Sequence, residues 1–344
     1  MNRKSFGTTK QGEAVYTYEI SNGNGLKAVL TDFGAAAVSV FTPDKNGKEI
    51  DVLLGRDEVS GYEGDGCYFG ATVGPNANRI ANARCTIDGV VYELDANNNE
   101  NNLHSGYNTL AWKVWEVKEH TASSITFAIS CPHLAQGFPG NASYEVTYEA
   151  TDDQAIAIRY RAVADQKTTF NMTNHSYFNL NGGGDIYGHV MQLSASAYTP
   201  IIDAKAIPTG EIAPVEGTPF DFRSPKTIGQ DIHADNEQLA FGHGYDHNWV
   251  LDKKTDGLEI IGSLYAPESG IYMEILTDLP GIQIYSGNFV DTVGKGGAAL
   301  KERSGIAMET QIYPDSINQP DFPNAIYEAG EVYQTQTIYR FSVK

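Results

Sequence analysis

The sequence predicts an all-β fold, a large antiparallel β-sandwich running as one domain through residues 1–344. Three observations point there. Apolar or alternating runs of strand length recur between clusters of Gly, Asn, Asp and Pro. No long stretch repeats its apolar residues with a 3.6-residue period. Glycine and tyrosine are abundant, at 35 and 20 residues, the one supplying turns and the other aromatic strand surface. Hydrophobic residues make up 41% of the chain, enough for a substantial core.

The strands read off in order. AVYTYEI (14–20), LKAVLTDF (26–33) and AAVSVFTP (36–43) come first. CTIDGVVYEL (85–94) folds back on itself at Asp88-Gly89, a strong hairpin dipeptide. KVWEVKE (113–119), SITFAIS (124–130), YEVTYEA (144–150) and AIAIRYRAV (155–163) follow closely, as antiparallel neighbours do. HVMQLSA (189–195), YMEILTD (272–278), GIQIYSGN (281–288) and TQTIYRFSV (335–343) complete the set. Short helices are expected near Glu58–Tyr62 and around Ile228–His233. Two irregular stretches, Gly64–Asn82 and Pro200–Phe222, interrupt the strands. Loops of that length are natural walls for a cleft.

The net charge of −19 excludes whole classes of partner. An acidic surface repels phosphate backbones and anionic lipid heads, so neither nucleic acid nor membrane is expected. It also argues against a phosphorylated sugar. Cys67, Cys85 and Cys131 are odd in number and form no CxxC pair, so neither a disulfide framework nor a zinc site is expected. With no signal-type apolar run near the start, this fits a cytoplasmic protein.

Five segments carry groups that could do chemistry. GPNANRIANA (74–83) crowds Asn76, Asn78, Arg79 and Asn82 into one loop, either to hold a neutral polyol or to satisfy its own backbone. NNNENNLHSG (97–106) sets five asparagines before His104, and on its own reads as a surface turn with one histidine. In NMTNHSYFNL (171–180), a strand would put Thr173, His175 and Tyr177 on one face, with Phe170 and Met172 opposite. In GHGYDHNWVL (242–251), His243 and His247 have helical metal-ligand spacing, but Gly244 and the strand-like run after it disfavour a helix. No metal is expected there, while Asp246 and Asn248 would share a face in extended chain. GIAMETQIYPD (305–315) alternates Ile306, Met308 and Ile312 against Ala307, Glu309, Gln311 and Tyr313. A carboxylate in such a strand is costly unless paired or used. Upstream, Gln283 and Tyr285 alternate with Ile282 and Ile284.

In order along the chain, ANRI (77–80), NLHSG (102–106), NHSYFNL (174–180), YDHNWVL (245–251), QIYSGN (283–288) and METQIYPDSINQPDFP (308–323) resemble the aldose 1-epimerases, or galactose mutarotases. The resemblance runs from about Phe33 to Phe341. It implies a large antiparallel β-supersandwich with an open cleft and no metal or organic cofactor. It implies Glu309 as general base, His175 as general acid and His104 as a second histidine near the ring oxygen. It implies Asn78, Arg79, Asp246 and Gln283 as the groups holding sugar hydroxyls. The implied substrates are free aldohexoses, glucose and galactose, and the implied state a monomer or homodimer. Two positions depart from the family pattern: Pro75, where an arginine is usual, and Ser105, where glycine is usual.

Two other classes compete on the residues alone: a glycosidase using Asp246 and Glu309, and a non-catalytic carbohydrate-binding domain. For the epimerase, free Glu titrates near ~4.3 and free His near ~6.5, and the negative chain should raise the histidine. The expected rate then falls at low pH with Glu309 and at high pH with His175.

Overall fold

The computed structural model describes residues 3–344, and β-strands account for nearly all of its regular structure. Nine strands form the largest sheet, entirely antiparallel. Its order is Glu116–His120, Ser124–Cys131, Ala142–Ala150, Ala155–Ala164, Tyr333–Val343, Ile271–Thr277, Glu259–Tyr265, Val190–Leu193 and Lys226–Thr227. A six-stranded sheet runs Tyr177–Phe178, Ile306–Gln311, Gly281–Tyr285, Asp246–Val250, Ala197–Thr199 and Ala213–Pro214. A five-stranded sheet collects Arg3–Thr8, Ala14–Ser21, Lys27–Thr31, Ala36–Pro43 and Glu49–Asp51.

Alternation explains how the two largest sheets meet. In Tyr333–Val343 the odd positions Tyr333, Thr335, Thr337, Tyr339 and Phe341 are buried while those between are not. Ile156, Ile158 and Tyr160 of the nine-stranded sheet join one apolar cluster with Trp249, Ile282, Ile284, Ile306 and Met308 of the six-stranded sheet. Tyr339 Oη donates to Met308 O at 2.7 Å across that interface. The face of the six-stranded sheet turned away from this core is therefore the face free to carry function.

Asp88 and Gly89 take φ of +50° and +78° between Arg84–Ile87 and Val90–Glu93, the backbone a two-residue hairpin needs. Both expected helices are single 3-10 turns, Val59–Gly61 and Ile228–Gln230. The one α-helix among the described residues, Glu237–Gly242, was not anticipated, because six residues are too few to show a period. Asn236 caps it, its side chain accepting from the N–H groups of Gln238 and Leu239.

Candidate active site

Three neighbouring strands of the six-stranded sheet make the floor of a cleft. Asn248, Gln283 and Glu309 are directly opposed in register, and Asp246, Tyr285 and Ala307 form the adjacent row. Opposed residues share a face. Asp246, Gln283, Tyr285 and Glu309 thus line the cleft, while Ile282, Ile284 and Met308 enter the core, as the alternation predicts. Gln283 Nε2 donates to Asp246 Oδ1 at 2.7 Å, and Arg79 Nη1 lies 4.0 Å from Asp246 Oδ2.

His175 arrives differently from the expected continuous strand. That stretch is split into Thr173–Asn174, paired with Val73 and Thr72, and Tyr177–Phe178, paired with Ala307 and Ile306. The cause is Asn174, whose Oδ1 accepts from Ser176 N at 3.1 Å and bends the chain out of the ladder. His175 is pinned at the break, its N donating to Ala71 O at 2.9 Å and its O accepting from Gly70 N at 3.0 Å. Its ring turns into the cleft with Tyr177, and Nε2 stands 3.5 Å from Glu309 Oε1.

His104 comes from a left-handed turn, with φ of +53° at His104, +66° at Ser105 and +83° at Gly106. Its N donates to Asn78 O at 3.0 Å, and its Nδ1 accepts from Asn78 N at 3.1 Å. A ring nitrogen that accepts carries no proton, so His104 is a neutral imidazole with its proton on Nε2. The asparagines before it largely satisfy local backbone and neighbouring loops. Asn97 exchanges hydrogen bonds with Leu103, Asn102 donates to Asp95 O, and Asn98 Oδ1 accepts from Arg79 Nε at 3.1 Å.

All seven residues singled out in the sequence, Asn78, Arg79, His104, His175, Asp246, Gln283 and Glu309, line one cavity of about 470 Å³. Tyr68 and Phe289 line it too and were missed. Tyr68 stacks on Trp112 at 5.3 Å and meets the rings of His104 and His175 at 4.8 and 5.9 Å. Phe289 stands exposed at the mouth. An aromatic in a Gly-rich loop carries no pattern that would have found either. Cys67 also lines the cavity, but burial pushes its thiol up to about 12, so it is no nucleophile. His243 caps the short helix against Phe289, and His247 lies in a strand against Phe220, so the two imidazoles serve different packing contacts.

Burial dominates the electrostatics. It raises Glu309 well above the ordinary carboxyl range, with Asp246 nearby adding to the effect and Arg79 opposing it. It raises Asp246 as well, against Arg79 and the Gln283 amide. It lowers His104 well below the usual imidazole value, and His175 to about 4. The expectation that net charge would hold His175 as imidazolium is therefore corrected. Surface charge is spread out and screened by water, whereas Tyr68 and Tyr177 strip water from the ring at contact distance. Burial shifts both Glu309 and His175 toward their neutral forms, which favours the state with one proton on the pair, and at this separation they titrate together. Two such groups can address two oxygens on one carbon, one taking a proton as the other gives it.

The sequence profile of the family described as aldose 1-epimerase matches residues 16–340. The galactose mutarotase of Mus musculus is 40% identical, with 100% of this chain and 99% of that protein covered. The aldose 1-epimerase of Escherichia coli (strain K12) is 35% identical over 96% of each. Among solved structures, an aldose epimerase homologue from C. elegans superposes with a TM-score of 0.89 at 34% identity, covering 95% of this chain and 98% of its own.

Proposed function

The chain belongs to the aldose 1-epimerase family and is an isomerase that interconverts the anomers of aldoses; from that premise we propose that Glu309 and His175 perform the proton transfers. The observation that carries this reading is the 3.5 Å approach of His175 Nε2 to Glu309 Oε1 at the floor of a cleft otherwise lined by neutral and paired polar groups.

An aldopyranose changes anomer by opening its ring. The C1 hydroxyl loses its proton to Glu309 as His175 gives one to the ring oxygen. The bond between C1 and the ring oxygen breaks, leaving the open-chain aldehyde. Rotation about C1–C2 presents the other carbonyl face, and closure reverses both transfers. Protons balance with one base and one acid, so the reaction itself calls for no cofactor. Glu309 Oε2 has no hydrogen-bond partner among the described residues. A sugar hydroxyl donating there stabilises the carboxylate and sends the pair's single proton to His175 Nε2.

The other groups hold the ring in place. His104 offers its Nε2–H near the ring oxygen. Asp246 accepts from sugar hydroxyls, and Asn78, Arg79 and Gln283 fix further hydroxyls through planar donors and acceptors. Free galactose and glucose are the proposed substrates, and the cytoplasm the proposed compartment, supported by three free cysteines. The glycosidase alternative loses its footing because Asp246 is engaged by Gln283 and Arg79, while Glu309 faces an imidazole.

His175→Ala tests the assignment. Magnetisation exchange between the α and β anomeric protons of galactose should slow by roughly 10²- to 10⁴-fold relative to wild type. Wild-type exchange in a folded variant would remove His175 from the role.

A further inference from the structure

Ser105 stands where two constraints meet that the reaction scheme leaves unexplained. Its φ of +66° is a left-handed conformation that glycine adopts freely and serine does not. Its side chain is also fully buried. A hydroxyl costs free energy to bury unless both its donor and its acceptor are used. Here both are. Asn76 N donates to Ser105 Oγ at 2.9 Å, and Ser105 Oγ donates to Asn76 O at 3.0 Å. One residue before Ser105 and two residues after Asn76 lies the other reciprocal contact, between His104 and Asn78. Four hydrogen bonds therefore clamp the turn carrying His104 onto the loop carrying Asn78 and Arg79.

We infer that Ser105 is a positioning residue: its hydroxyl holds the Asn76–Asn78 backbone so that the Asn78 N–H stays on His104 Nδ1, which keeps the His104 proton on Nε2, facing the cleft. The inference rests on the proposed role of His104 as a donor to the sugar. The hydroxyl acts at a distance from the sugar, through the loop. Without it, the Asn76 N–H and C=O lose their shared partner, the loop shifts against the turn, and the Asn78 N–H no longer selects one tautomer. His104 then divides its proton between its two nitrogens and offers a donor to the sugar only part of the time. Serine in place of glycine is the trade this makes, a strained backbone in return for a fixed ring.

The test compares Ser105→Gly, Ser105→Ala and His104→Ala with wild type in three measurements: kcat and KM for galactose, thermal stability, and the ring-nitrogen NMR signature of His104. Ser105→Gly removes the hydroxyl while relieving the left-handed strain, which offsets part of the cost of leaving the Asn76 N–H and C=O unpaired, so it should stay folded with only a modest fall in Tm. Its kcat should fall by roughly 10-fold to 100-fold, the scale of a small misplacement in an active site. KM should move less, and the His104 nitrogens should show mixed tautomers. Ser105→Ala should match it in kcat and tautomer but with a lower Tm. Ser105→Gly retaining kcat within about twofold of wild type, or retaining a pure Nε2–H signature, overturns the inference. His104→Ala separates the two levels. If it is slow while Ser105→Gly is normal, only the role of Ser105 fails. If His104→Ala itself keeps wild-type kcat, the reading of His104 fails instead.

Discussion

Glu309→Gln separates what the carboxyl does for the reaction from what it costs the fold. The amide keeps the shape of a side chain that is only 2% exposed, but has no affinity for a proton. Loss of the base should slow anomer exchange by roughly 10²- to 10⁴-fold, about 2.7–5.4 kcal/mol of transition-state stabilisation at 1.36 kcal/mol per factor of ten. The effect on stability has the opposite sign. Burial raises the folded-state pKa of Glu309 above its unfolded value, so the folded chain binds that proton more tightly than the unfolded chain does. The resulting stability is fully present below the unfolded carboxyl pKa near ~4.3. It is lost as pH rises through the folded pKa, at a limiting slope of about 1.4 kcal/mol per pH unit. Glutamine does not titrate. The variant should therefore match wild type in acid and gain on it steadily as pH rises. Urea unfolding followed by tryptophan fluorescence at pH 4, 6 and 8, beside exchange kinetics on the same samples, reads both effects. A folded variant with wild-type kinetics refutes the base assignment. A variant that loses stability relative to wild type as pH rises refutes the argument from burial.

The paired protonation gives the rate a broad plateau. The acid limb comes where the Glu309–His175 pair takes a second proton, with His175 lowered to about 4, and the alkaline limb where the pair loses its only proton at the raised Glu309. Ring-nitrogen NMR of the free enzyme at pH 7 should show His175 neutral, and an imidazolium signature there would contradict the desolvation account. Asp246→Ala, which frees Gln283 Nε2 and Arg79, should chiefly raise KM for galactose, and a fall in kcat at unchanged KM would show Asp246 acting in the chemical step instead.

How much of this the sequence discloses depends on what carries each residue. Glu309 and Gln283 sit in regular strands, where period-two alternation places a polar side chain opposite the isoleucines and methionine of the core, so their shared face is legible from spacing alone. His175 and His104 stand on irregular backbone. One lies at a ladder broken by the Asn174 side chain, the other in a left-handed turn, and no short-range pattern encodes either. Their place came from the order of the family motifs. The protonation expectation failed for a related reason. Net charge is countable in a sequence, but the desolvation that outweighs it comes from packing: Tyr177 lies close to His175 in the chain, yet only the fold sets its ring against the imidazole and brings Tyr68 in from a distant loop. Ser105, met first as a departure from a glycine pattern, acquires a physical reason only when its hydroxyl is found against Asn76.

The most direct measurement is polarimetry of freshly dissolved α-D-galactose and α-D-glucose with and without the protein at neutral pH. The account predicts faster approach to an unchanged final rotation, with the acceleration abolished in Glu309→Gln. Rotation that drifts at the spontaneous rate for both sugars, with folded wild-type protein present, would contradict it.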